Sequence, residues 1–430
     1  MNTDLCTDCR SATGRAWLES NRGSRPAELR TQGGCCAEAG PSPDACASPI
    51  HWLLMARLSD EHLEPFGRAL EAHRREPHVT WNGHRRTRLA ELWRMVDPRE
   101  RIYLDTRYWV FLRDASMGRA KRPVHDDLLA VLQRLIASGT AICPLSDSAM
   151  FELHKQTDPE TRVAMARVMD ALSLGATIQN GMERMRTELV RFFYPVIAER
   201  RIPGPPIEHV WLKAGHFLGS ATPVFENVDA AENLAISKAF FDLLWAVSVE
   251  EMLTDSDWVE DDTAFRSAAK RMTESSRQHA AEVMSFEQLY LTEVAGIVDA
   301  SAKAIDDAFI EIAAAQGATS SSQLDTDISR QHRNAVYNLI RLNKAGTGLP
   351  QIQIEAGIHA AIRRLEHRAF QANDFYDIYH ATAALPYCDV FLTEAFVGTI
   401  LKNPPLAFGK VFGTEIIWSE DDALRLLRTL

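Results

Sequence analysis

Two short, wholly apolar runs near opposite ends of the chain constrain its fold most: Ile102-Tyr103-Leu104 and Val390-Phe391-Leu392, each closed by a Thr and an acid, Asp105-Thr106 and Thr393-Glu394. A run without polar alternation reads as a strand covered on both faces, as in parallel sheets packed between helices. Residues 140–146 read as another such strand and 411–418 as a last one. From 181 to 345 strand signals fade, and Ala-rich helical stretches take over at 227–252, 262–284, 286–316 and 325–343. The chain must therefore leave a sheet, build a helical unit and return. An α/β fold interrupted by a large all-helical insertion is expected.

That pattern divides the chain into a disordered tail (1–48), an N-terminal helical cap (49–100), the first part of the sheet domain (101–180), the insertion (181–345) and the second part of the sheet domain (346–430). The tail holds five of the seven Cys, at 6, 9, 35, 36 and 46. Cys6-x-x-Cys9 loosely resembles half a zinc site, but an adjacent pair such as Cys35-Cys36 suits tetrahedral geometry poorly. Cys143 and Cys388 sit beside strands and read as packing residues. With no apolar leader and no apolar stretch long enough to span a bilayer, a cytoplasmic protein without a membrane partner is expected.

In open α/β sheets, sites lie beyond the carboxyl ends of the strands, so the acids there are the candidates. Asp105 closes one strand and Glu394 another. Ser146 reads as the cap of a helix carrying Glu152. Asn373 reads as the cap of a later helix, with Asp374 and Asp377 three apart on one face and His380 a turn further on. Asp374 lies nearer the helix start, where an acid is favoured; Asp377 could ligate instead. His380 is expected to pack or to hydrogen-bond Asp377. Asp389, at the start of its strand, belongs to the wrong rim.

The ordered set Asp105-Thr106, Glu152, Asp374 (or Asp377) and Thr393-Glu394 resembles the PIN-domain (PIN-like) nuclease family, with Glu394 where that family usually has Asp. The resemblance covers roughly 100–180 and 350–430. It implies a three-layer sandwich around a central parallel sheet and a metal-dependent endonuclease leaving 5′-phosphate and 3′-hydroxyl ends. Its implied cofactor is Mg²⁺ or Mn²⁺, hard ions that prefer oxygen ligands. Asp105, Asp374 and Glu394 would be the inner ligands, with Asp377 a further one. Glu152 would orient water or ligate a second ion, and Thr106 and Thr393 would bond carboxylates or phosphate. By analogy such an enzyme would suit a toxin or defence role.

A net charge of −11 excludes a broadly basic nucleic-acid coat, so nucleic acid would need a local patch. Residues 85–122 supply eleven Lys/Arg against five Asp/Glu. Within them Arg107, Arg113, Arg119, Lys121 and Arg122 are the expected phosphate contacts, Arg107 first. Single-stranded RNA is the first expected substrate and DNA the second. The insertion would serve a protein partner or homo-oligomer, the sole role left if the domain is catalytically silent. A haloacid-dehalogenase-type phosphatase is disfavoured because Arg107 stands where its second Asp is required, and a nucleotide-binding enzyme because no Gly-rich loop follows any strand.

Overall fold

The computed structural model describes residues 60–430 apart from 198–205, 221–222, 224, 226–227, 255–261, 279–284, 319–324 and 366–367. The tail and its cysteines lie outside the described residues. Among the described residues, two helices, α1 (Asp60–Arg75) and α2 (Trp81–Val96), precede the first strand. Four strands, β1 (Glu100–Leu104), β2 (Ala141–Ile142), β5 (Val390–Leu392) and β6 (Glu415–Ile417), form one parallel sheet in the order β2-β1-β5-β6. Leu104 pairs with Leu392 and Arg101 with Ile142, so the two distant runs are immediate neighbours in register.

Helices cover both faces, which explains the absence of polar alternation. On one face Tyr103, Ile142, Phe391 and Ile416 meet α14 (Pro350–Arg363) and α15 (Ala372–Ala384) through Ile354, Ile358 and Phe375. On the other, Ile102, Leu104, Val390 and Leu392 meet α3 (Thr106–Ser116), α4 (Pro123–Ala137), α6 (Pro159–Ser173) and the closing α18 (Glu420–Leu427). The short α5 (Asp147–His154) follows β2, and its Ser146 cap accepts from Ala149 N at 3.3 Å.

The insertion is not all-helical. β3 (Ala176–Ile178) pairs antiparallel with β4 (Trp211–Lys213), so a strand falls inside 181–345. Trp211 and Leu212 are fully buried there, and a paired strand is the way to satisfy that buried backbone. The first expected helix divides into α8 (Ala230–Ala246) and α9 (Val249–Thr254); the second is α10 (Thr263–Gln278), its expected remainder at 279–284 lying outside the described residues. The third breaks at Ser301 into α11 (Phe286–Ala300) and α12 (Ala302–Ala315), and the fourth is α13 (Thr326–Arg341). Near the C-terminus, the expected long strand is instead a short α17 (Phe408–Phe412), left-handed Gly413 and then β6. Residues 395–402 form α16.

A separate apolar cluster joins α7 (Gly181–Ile197), α11, α12 and α13 to the inner side of α14. Arg184, fully buried on α7, donates to Gln351 Oε1 at 3.1 Å, to Gln179 O at 2.9 Å and to Thr382 Oγ1 at 2.9 Å. This polar tie fixes the insertion against both site-side helices. From the insertion, α10 reaches α15 directly, with Phe265 stacked on Phe375 at 5.2 Å between centroids.

Candidate active site

Strand order decides where a ligand can sit. From β1 the chain crosses to β2 on one side, while β5 lies on the other. The crevice at the carboxyl ends of β1 and β5 is therefore the topological switch point. Asp105 and Glu394 stand there on one rim, and Asp105 N donates to Leu392 O at 3.0 Å. Asp389 lies at the other rim and is held by Arg101 through Nε at 2.8 Å and Nη2 at 2.6 Å.

Asp105 is the N-cap of α3 and only 4% exposed, with Oδ1 accepting weakly from Tyr108 N at 3.4 Å. Its Oδ2 is buried without a hydrogen-bond partner. Burial pushes the Asp105 carboxyl up to about 7. The His380 charge, the Thr393 hydroxyl and the Tyr108 N–H pull it down, whereas the Glu394 charge pushes it further up. Burial also pushes Asp377 up to about 8 against the pull of His380, with Asp105, Glu394 and Glu152 adding to the rise. These mutual repulsions identify one electrostatic cluster: Asp105, Asp377, Glu394 and Glu152. Glu394 caps α16 by position, without a side-chain capping bond.

Asp374 does not join the cluster. The N-cap of α15 is Gln371, not Asn373, which puts Asp374 in the third helical position. From there it reaches back to Gln371 N at 2.8 Å and binds Arg368 through both oxygens at 2.8 and 2.5 Å. It is 2% exposed, and its carboxylate closes the helix start. Asp377, one turn on, takes the place at the rim expected of Asp374.

Glu152 and His380 form a buried pair, with His380 Nε2 2.7 Å from Glu152 Oε2; Thr106 Oγ1 donates to the same oxygen. His380 packs, its buried ring edge-on to Tyr103 at 5.7 Å between centroids, and its hydrogen bond goes to Glu152 on α5 rather than to Asp377. On the other side of the ring, His380 Nδ1 is 2.7 Å from the Tyr103 hydroxyl, itself 2.5 Å from Ser146 Oγ. Burial alone would lower His380, but the bond to Glu152 and the charges of Glu152, Asp105 and Asp377 raise it above 6.5. Burial alone would raise Glu152, but His380, Thr106 and Lys155 hold it below 4.5. Stability from the His380 charge is present below 6.5 and fades as pH climbs through the raised value. Stability from the Glu152 charge is present above 4.5 and fades as pH drops through the lowered value. The pair therefore contributes most between about 4.5 and 6.5. His380→Phe, which strands a buried carboxylate, is expected to cost about 3 kcal/mol in urea unfolding near pH 6, with a smaller loss at pH 9.

The expected phosphate contacts are largely engaged elsewhere. Arg107 donates to Glu420 Oε1 at 2.6 Å and lies over the Phe111 ring. Arg122 binds Glu420 and Asp421, Arg113 binds Asp114 and Gln156, and Arg119 binds Glu160. Lys121 is exposed. The acidic first turn of α18 thus neutralises the basic segment nearest the rim. Other cations stand at the start of α15: Arg266, Lys270 and Arg277 of α10 line a groove of about 400 Å³ with Glu274, Gln371 and Ala372, and Arg266 is paired with Asp262 at 2.8 Å. The groove thus lies beside the start of α15, the helix that carries Asp377 one turn further on. The i, i+4 spacing of Arg266 and Lys270 was the available signal in the sequence.

The donor set suits a hard divalent cation. It is made of carboxylates alone, one buried oxygen lacks a partner, and two carboxyls are raised first by burial and further by neighbouring carboxylates. The carboxylates have not drawn in around a point. Among the described residues, the group whose three ligand atoms all lie within 4.8 Å of one another is His73, His84 and Asp242, on α1, α2 and α8. No helix among the described residues is long and apolar enough to cross a membrane. Comparison with protein-family models, with curated proteins and with solved structures found no match to this chain.

Proposed function

We propose that this protein is a PIN-like, metal-dependent endonuclease that hydrolyses phosphodiester bonds, single-stranded RNA first and DNA second, with a three-layer sandwich as its catalytic domain. The observation that carries the reading is the orphaned Asp105 Oδ2, buried at the switch point among Asp377, Glu394 and Glu152. Asp105, Asp377 and Glu394 would hold Mg²⁺ or Mn²⁺, which in such a cluster activates water and offsets phosphate charge. Glu152 is kept ionised by His380 and is the group to accept the proton of the attacking water. His380 orients Glu152, and its Nδ1 is hydrogen-bonded to the Tyr103 hydroxyl, which is bonded in turn to Ser146 Oγ. Thr106 holds Glu152, and Thr393 steadies Asp105. Lys270 and Arg277 of the α10 groove would supply phosphate contacts, with Arg107 and Arg266 joining them only on release from Glu420 and Asp262.

A catalytically silent domain acting through its insertion is the competing reading. The neutralisation of Arg107 and Arg122 by Glu420 favours it. The two separate when purified protein is incubated with labelled RNA and DNA panels with and without Mn²⁺. Mn²⁺-dependent cutting that vanishes in Asp105→Asn and Asp377→Asn is expected. Cutting that survives both variants comes from a contaminant, and no cutting of any substrate sinks the nuclease reading.

A further inference from the structure

α1 and α2 are fixed to α8 through one carboxylate. Asp242 Oδ2 lies 2.8 Å from His73 Nε2, and Asp242 Oδ1 lies 3.0 Å from His84 Nε2 and 2.8 Å from Arg88 Nε. The two imidazoles meet edge to face with centroids 4.7 Å apart. All three side chains are 11–12% exposed, yet they line a cavity of about 500 Å³ between the three helices. The three ligand atoms lie within 4.8 Å of one another.

We propose that His73, His84 and Asp242 form a metal site for a borderline transition ion of the zinc class. Two imidazole nitrogens with one carboxylate oxygen select such an ion over Mg²⁺, which the oxygen-only cluster at the rim would take. On binding, each Nε2 exchanges its hydrogen bond to Asp242 for a bond to the ion, and the ring proton moves to Nδ1. Asp242 ligates through Oδ2. Arg88 stays on Oδ1, where it orients the carboxylate from outside the coordination sphere. Its charge is shared with Glu91, which accepts from Nη1 at 3.2 Å. The nearby Lys238 ammonium is turned to the carbonyls of Glu76 and Val79 at 3.2 and 3.1 Å. Three ligands leave a fourth position facing the cavity, open to water or a small donor. His73 sits in the last turn of α1 and His84 in the first turn of α2, so the ion would staple that helix pair to α8.

The proposal is independent of the nuclease reading, and its test uses the full chain after chelator treatment. Zn²⁺ is expected to raise the Tm of the wild type and of Asp105→Asn alike. Co²⁺ is expected to give a visible d–d band without the thiolate charge-transfer band that tail cysteines would produce. His84→Gln, which keeps an N–H for Asp242, and Asp242→Asn should weaken binding by at least about tenfold, the scale of losing even an outer partner. An equal Tm shift in His84→Gln, or none in the wild type, overturns the site and leaves a hydrogen-bonded latch. X-ray absorption of the Zn-loaded wild type tests the site without relying on variants that must fold. Two imidazoles in the shell support it, and a shell of sulfur or of oxygen alone overturns it.

Discussion

Asp105→Asn is expected to end metal-dependent cleavage while making the metal-free protein more stable at pH 8. The two effects share one cause. The Asp105 carboxyl ordinarily titrates near 3.8 and is raised to about 7 in the fold by burial, and the coupled Asp377 is raised to about 8. A carboxyl whose folded value is raised favours the folded state below its unfolded value, and that advantage is lost as pH rises through the folded value. Without a divalent cation, stability should therefore fall between about pH 4 and pH 8. A shift of three units on a fully buried group corresponds to roughly 4 kcal/mol. Asp105 and Asp377 titrate as a coupled pair, so their contributions do not simply add. Asn removes the charge and keeps the shape, including an oxygen for the Tyr108 N–H, and so recovers part of that loss. Saturating Mn²⁺ should flatten the pH slope in the wild type by stabilising the charged carboxylates, and do much less in the variant. Thermal melts from pH 5 to pH 9, in chelator and in Mn²⁺, read both. A wild-type slope that chelator and Mn²⁺ leave identical would count against a cation at this rim.

What the sequence makes legible here is what local pattern can carry. Ile102–Leu104 and Val390–Leu392 are uninterrupted because helices cover both faces, and that pattern marks them as strands of a parallel sheet. Their closing acids share a rim because parallel strands in register must end together. Partners chosen over long distances escape such reading. Arg107 lies two residues past Asp105, yet its carboxylate partner is Glu420 in the last helix. His380 has an acid one turn back on its own helix, yet it bonds Glu152 on α5. Tyr103 looked like strand filler. A buried phenol needs a hydroxyl partner, however, and its place next to Leu104 and Asp105 was a usable signal. The break at Ser301 and the strand at Trp211–Lys213 depend on what packs against them, which composition does not record.

The largest remaining contrast lies between two acids three residues apart. Asp377→Asn is expected to abolish cleavage with little loss of stability, and Asp374→Ala to do the reverse. Asp377 belongs to the repelling cluster, so neutralising it relieves strain in the metal-free fold while removing an ion ligand. Asp374 satisfies Gln371 N and both terminal nitrogens of Arg368 from a site 2% exposed. Truncating it uncaps α15 and strands a guanidinium held over the Phe396 ring. A helix cap contributes about 1 kcal/mol. Breaking a buried ion pair costs about 3–5 kcal/mol, and less here because the Arg368 side chain keeps 23% of its exposure. A combined loss of roughly 2–4 kcal/mol in urea unfolding follows. Cleavage by the folded fraction of Asp374→Ala should stay within a few-fold of wild type, because α15 remains anchored by Phe375 on Phe265 and by His380 on Glu152. If instead Asp374→Ala is inactive yet as stable as wild type, while Asp377→Asn still cleaves, the ligand is Asp374 after all and its bond to Arg368 must open when the ion binds.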